Sequence, residues 1–234
     1  MKIDIITIFP KMFKGPFTES LLGRASKKGI LKINIVDIRF FSKDKHKKVD
    51  DKPFGGGGGM IMKSEPLYDA IKSVGLKEKN NSYKKFHAKA YIIYMSPQGK
   101  TLNNKIVKRL TRFKHLAIVC GHYEGIDERI MNYIDEEISV GDYVLTGGEI
   151  PAMVLVDSVA RMLPGVIKEE DSIKNDSFYN NLLDYPHYTR PAVFRGHKVP
   201  EILLSGDHKK ISEWRKKEAY KRTMERRPDL LRTD

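Results

Sequence analysis

Apolar positions come in short runs that alternate with amphipathic stretches over the first two thirds of the chain. Lys2–Phe9 alternates, is rich in β-branched residues and stops at Pro10, so it reads as a strand. Thr18–Lys28 carries Leu21, Leu22 and Ala25 at helical spacing and ends at Gly29. Leu31–Ile38 and Ala90–Met95 read as strands, the second stopped by Ser96-Pro97-Gln98-Gly99. Ser64 is placed to cap a helix that has Pro66 in its first turn and runs through Leu67, Ala70, Ile71 and Val74. Leu102, Ile106, Leu110 and Phe113 share one helical face.

The densest signal lies in residues 116–150. The apolar run Leu116–Cys120 ends in Gly121, and Ile138–Leu145 is broken at Gly141 and closed by Thr146-Gly147-Gly148. Both read as buried strands ending in glycine-rich turns, with a polar helix at 125–134 between them. Glu149–Leu163 is apolar nearly all round and reads as a buried helix ended by Pro164-Gly165. Strands alternating with helices predict an α/β domain with a mainly parallel sheet over residues 1–165.

Beyond that point the pattern changes. Residues 166–184 are polar and acidic and suit an interdomain linker. Residues 185–234 read as a small, mainly helical C-terminal domain, extended at first by Pro186 and Pro191 and helical from about Asp207. Between Lys209 and Arg232 ten lysines and arginines face four acids. Residues 76–89 are Lys-rich and read as a surface excursion.

Charge sharpens this picture. Lys+Arg 43 against Asp+Glu 30 leaves +13, which favours an anionic partner, nucleic acid before a membrane surface. The single cysteine, Cys120, excludes a disulfide within the chain and reads as a small buried hydrophobe. Seven histidines form no HxxxH or HExxH pair, so no zinc site is expected. No run of 18 apolar residues occurs, so no membrane span is expected and a cytoplasmic location is.

Gly55–Gly59 invites a phosphate-loop reading, but neither GxxxxGK[ST] nor GxGxxG occurs in the chain. Three turns after three strands, at 94–97, 121–125 and 139–141 with 145–148, are candidates for enclosing an adenine through backbone hydrogen bonds. Glycines there let main chain approach a ligand closely. Arg161 lies four residues after Asp157 on the apolar helix: an ordinary ion pair, or a buried guanidinium held for an oxyanion. Asp176 reads either as a helix cap or as a general base on a segment beside a pocket.

Nine blocks, in order, carry a resemblance. VDDKPFGGGGGM (49–60), YMSPQG (94–99), VCGHYEGIDER (119–129), ISVGDYVLTGGEIPAM (138–153), DSVARMLPGV (157–166), NDSF (175–178), LLDYPHYTRP (182–191), VPEILLSGDH (199–208) and RRPDLL (226–231) resemble the bacterial tRNA (guanine-N1)-methyltransferase family, TrmD, of the SPOUT class. The resemblance spans the chain. It implies a parallel sheet threaded as a trefoil knot, an obligate homodimer with shared active sites, and S-adenosylmethionine (AdoMet) as methyl donor to guanine at tRNA position 37.

By matching motifs it puts the cofactor on Tyr94, Met95, Ser96, Pro97, Gly121, Tyr123, Glu124, Gly125, Ile126, Ser139, Val140, Gly141, Tyr143, Leu145, Gly147 and Gly148. It implies Asp50, Gly55, Gly59 and His187 for tRNA, and Asp176 and Arg161 for catalysis, with Asp176 arriving from the second subunit. Mg2+, suggested for the family, has no visible ligand cluster. Gly58 stands where the family commonly has proline, and Asn175 where an acid is common. Rival readings are a SPOUT enzyme acting on another base or a ribose, and a non-enzymatic RNA-binding protein.

Overall fold

A computed structural model describes residues 1–75, 90–168 and 176–232; the excursion expected at 76–89, and Asn175, lie outside them. The chain divides into two compact units, Met1–Lys168 and Glu169–Asp234.

The first unit is built on five parallel strands: β1 (Lys2–Thr7), β2 (Lys32–Asp37), β5 (Tyr91–Thr101), β6 (His115–Cys120) and β7 (Glu136–Ser139), in the order β2-β1-β6-β5-β7. Two-residue strands β3 (Asp50–Asp51) and β4 (Ile61–Met62) pair antiparallel beside it. Alternation along the sheet strands sorts their side chains to two faces. Ile3, Ile5, Ile93, Met95, Leu116 and Ile118 join one core with α1 (Ser20–Lys27), α3 (Asn104–Leu110) and α4 (Glu149–Arg161). Ile6, Ile92, Tyr94, Ala117 and Val119 join the other with α2 (Ser64–Ser73). The sheet is thus covered on both faces, which is why its strands read as near-continuous apolar runs.

Several boundaries differ from the sequence pattern. β7 ends at Ser139, not Leu145: Gly141 has φ +149°, and residues 140–148 leave the sheet. β5 does not stop at Ser96. Its pairing with β7 runs through Met95, lapses, and resumes at Lys100, so Ser96–Gly99 form a bulge. Only a 3-10 turn, Glu128–Tyr133, forms where a helix over 125–134 was expected, because Asp127 caps it after Gly125 at φ +133°. Asn103 caps α3 by accepting from Ile106 N, and this shortens the expected helix. Ser64 is the first residue of α2 rather than its cap.

In the second unit α5 (His208–Arg226) starts at Asp207, whose side chain accepts from Lys210 N. Ahead of it, Leu183 and Asp184 are tied to α5: Leu183 N donates to the buried Thr223 Oγ1 at 2.8 Å, and Arg222 donates to the Asp184 carbonyl at 3.4 Å. Strands β8 (Val193–Phe194) and β9 (His197–Lys198) form a small hairpin.

Candidate functional site

Strand register decides where the glycine-rich turns meet. Met95 is level with Cys120 on one side and Ile138 on the other. The three chains therefore leave adjacent strands at the same carboxyl edge, where open α/β sheets bind ligands. Between them lies a cavity of about 330 Å³, within the usual range for a small-molecule site. Its walls are the β5 bulge, the 121–126 turn, and residues 138–148 after β7.

Close main-chain stitching holds these walls. Gly148 N donates to Gly121 O at 2.8 Å, and His122 bridges to Gly147. A Cβ on Gly148 would lie 2.7 Å from Cys120 Cα, and one on Gly121 2.7 Å from the Tyr94 hydroxyl. Gly99 is tied in the same way, its Cβ position 2.5 Å from the backbone of Glu137 and Ile138. Tyr123 sits at φ +60°, a conformation costly for an aromatic residue and typical of sites where the surroundings over-determine the backbone. The 59–62 strand end closes the rim: Glu124 N donates to Met60 O and Met62 N to Gly125 O, both at 3.0 Å.

Fifteen of the sixteen residues expected around the cofactor line this one cavity. Gly141 does not line it. Instead it bonds through its main chain to Ser139 Oγ at 3.2 Å and underlies the Tyr143 ring, whose hydroxyl donates to Val140 O. Gln98, His122, Glu128, Thr146 and Pro151 also line it; all five stand inside the quoted motifs, though the resemblance assigns none of them to the cofactor. Met131 and Glu137, which line it too, carry no motif signal.

Electrostatically the cleft runs against the chain's overall charge. Glu124, Glu128 and Glu137 line it, and among the described residues no lysine or arginine does. Burial, helped by Glu137 and Glu128, pushes the Tyr94 phenol up to about 12. A polyphosphate would find three carboxylates and no cation there. A flat, uncharged ring with a cationic tail fits.

The remaining expected residues are dispersed. Asp50, in β3, pairs with Met62. Gly59 packs against Glu124, whereas Gly55 is exposed at φ +84° with open space around it. Half-buried Arg161 ends α4 in the first unit. Asp176 and His187 belong to the second unit. Asp176 lines a cavity of about 220 Å³ with Asn180, Arg215 and Lys216. His187 Nε2 lies 2.8 Å from Asp184 Oδ2. Among the described residues no group of three or more His, Cys, Asp or Glu could hold a metal ion, and no helix is long and apolar enough to cross a membrane.

Comparison with known proteins bears on the whole chain. Residues 1–233 match the family described as tRNA (Guanine-1)-methyltransferase TrmD. A protein named tRNA (guanine-N(1)-)-methyltransferase from Endomicrobium trichonymphae is 75% identical over 99% of this chain and 100% of its own length. Proteins of the same name from Ruminiclostridium cellulolyticum and Fusobacterium nucleatum are 53% and 55% identical over 99% of this chain, and over 96% and 91% of their own lengths. With a family match over residues 1–233 and three motif blocks meeting at one cleft, the chain belongs to the tRNA (guanine-1)-methyltransferase family.

Proposed function

We propose that this protein transfers a methyl group from AdoMet to N1 of guanine in tRNA, at position 37 beside the anticodon. The observation that carries the reading is the cleft: motif residues distant in sequence converge on one cavity that is glycine-walled, lined by carboxylates and, among the described residues, without lysine or arginine. AdoMet fits such a donor set. Gly121, Gly147 and Gly148 leave room that a Cβ would fill, their backbone groups suit an adenine edge, and Glu124, Glu128 and Glu137 suit a sulfonium. Bound there, AdoMet supplies a methyl made electrophilic by its positive sulfur.

The protein's own work is alignment and proton transfer. Guanine N1 carries a proton and is a poor nucleophile until that proton leaves. Asp176 Oδ accepts it as general base. Arg161 stabilises the negative charge that develops on guanine O6 as N1 is deprotonated, or orients Asp176. The stitched cleft walls keep the acceptor nitrogen in line with the bond being broken, so that little orientational entropy remains to be lost in the transition state. The target base leaves its stack to reach the site.

Asp50, Gly55, Gly59 and His187 contact the tRNA, and basic side chains of the second unit hold its backbone. The wider reading includes a SPOUT-type trefoil knot, a homodimer in which Asp176 comes from the second subunit, and a cytoplasmic location. A Mg2+ ion finds no ligand cluster among the described residues.

Methyl transfer from labelled AdoMet to unmodified tRNA transcripts, with and without guanine at position 37, tests the reading. N1-methylguanosine, identified by mass spectrometry of nucleosides, is expected only from the guanine-bearing transcript. A methylated ribose or a different methylated base overturns it.

A further inference from the structure

Beneath the cleft floor runs a buried polar chain that the proposed chemistry does not use. Glu149 opens α4 and is only 2% exposed. Its Oε1 accepts from Thr7 Oγ1 at 2.7 Å, and that hydroxyl accepts in turn from Phe9 N at 2.8 Å. Its Oε2 faces His122 Nδ1 at 4.0 Å. Nδ1 is itself buried and, among the described residues, has no hydrogen-bond partner. Phe9 and Tyr123 hold the imidazole edge-on, each ring centroid 4.9 Å away.

Gly147 completes the arrangement. A Cβ there would fall 2.5 Å from both Glu149 Oε2 and His122 Nδ1. A backbone with no side chain is what permits the carboxylate and the ring to face each other. His122 lines the cleft although its Nδ1 is shut away from solvent. The 22% of the His122 side chain that is exposed therefore belongs to its other ring atoms, of which Nε2 is the only polar one.

We propose that Glu149 is a positioning residue that fixes the tautomer of His122: the proton sits on Nδ1, facing the carboxylate, and Nε2 is presented to the cleft as a hydrogen-bond acceptor for the bound AdoMet. This rests on the AdoMet reading above and adds a specific contact to it. The physical ground is the geometry of the buried pair. A lone pair on Nδ1 would point at a carboxylate oxygen in a buried site, whereas an N–H there is attracted to it. The carboxylate is in turn kept in place by Thr7 and by the N-terminus of α4. At 4.0 Å the pair is too far apart for a hydrogen bond. It shortens when a ligand seats against the ring, as contacts in such sites commonly do.

The test uses the full-length chain labelled with 15N-histidine, with the His122 signals assigned from the His122→Asn spectrum, and AdoMet titrations by calorimetry. In the wild type His122 is expected as the Nδ1–H tautomer. Glu149→Gln turns an amide N–H toward Nδ1 while Oε1 still accepts from Thr7, so the tautomer should reverse to Nε2–H. AdoMet affinity should then fall by about tenfold, the worth of one hydrogen bond. His122→Asn places an amide N–H at the Nδ1 position, which retains the tie to Glu149 but removes the acceptor. Its melting temperature should stay near the wild type while affinity falls similarly, so the test survives even if Glu149→Gln does not fold. An Nε2–H tautomer in the wild type, or wild-type affinity in folded variants, overturns the inference. Failure of the wild type itself to bind AdoMet overturns the functional reading instead.

Discussion

The two units solve opposite problems. The first buries two apolar layers against a sheet and spends its glycines on bringing three chain segments together. Its cleft is lined by acids in a chain of net charge +13. In the second, α5 buries only Ala219 and Thr223 and leaves Lys209, Lys217 and Lys221 exposed. On the proposed function, shape and preorganisation select in one unit and long-range charge in the other. A small cationic ligand and a large polyanion would call for that division, since one surface cannot favour both signs.

Removing the proposed base separates the units most sharply. Asp176→Ala should lower methyl transfer by about a hundredfold to ten-thousandfold, while calorimetry still finds AdoMet bound with wild-type affinity. Activity near the wild type would place the base elsewhere. Next in size is Gly148→Ala. Its methyl meets backbone atoms of Cys120 and Gly121 that have nowhere to go, at a cost of about 1–3 kcal/mol. AdoMet affinity is expected to fall about tenfold or more, as the Kd measures.

Smaller effects test the basic unit. Replacing Lys209, Lys217 and Lys221 with alanine should weaken tRNA binding and lower its salt slope by about one for each phosphate that those side chains neutralise. AdoMet binding should be unmoved. A salt slope equal to the wild type would detach α5 from the nucleic acid.

Acid stability tests β1, which lies between β2 and β6. Burial opposes ionisation of Asp4, but hydrogen bonds from Lys2, Asn34 and His115 outweigh it and hold its carboxyl below the usual range. A folded pKa below the unfolded one means that the stabilisation is complete above about pH 4 and is lost as pH falls through the folded value. Asp4→Asn should flatten that part of the pH–stability curve and cost about 1–3 kcal/mol at neutral pH, read by denaturant unfolding. The smallest effect is expected from Gly58→Ala. Its Cβ meets nothing within 4 Å, so stability should change by less than about 0.5 kcal/mol.

Much of the first unit was legible from residue order alone. Alternation in Lys2–Phe9, the apolar run at 116–120 and the 3.6-residue spacing in α1 and α2 are local signals, and each formed the element it predicted. The misreadings cluster at the cleft. Ile138–Leu145 looks like one strand, and Ser96–Gly99 like a stop, because composition does not show where a strand loses its neighbour. Gly99 reads only as the end of a strand stop, since its role is set by the β7 backbone lying against it.

Sequence by itself determined the family, the alternation of strands and helices, the positions of the glycine turns and the basic character of the last fifty residues. Those are properties of neighbours along the chain. Tertiary structure alone decided that 94–98, 121–126 and 138–148 share one edge, because parallel pairing joins strands distant in sequence and its register has no local signature. It also decided that Glu149 is buried. At the head of an apolar helix that residue reads as an ordinary first-turn acid, and only the approach of Thr7 on β1 and His122 on the turn after β6 gives its carboxylate partners in the interior.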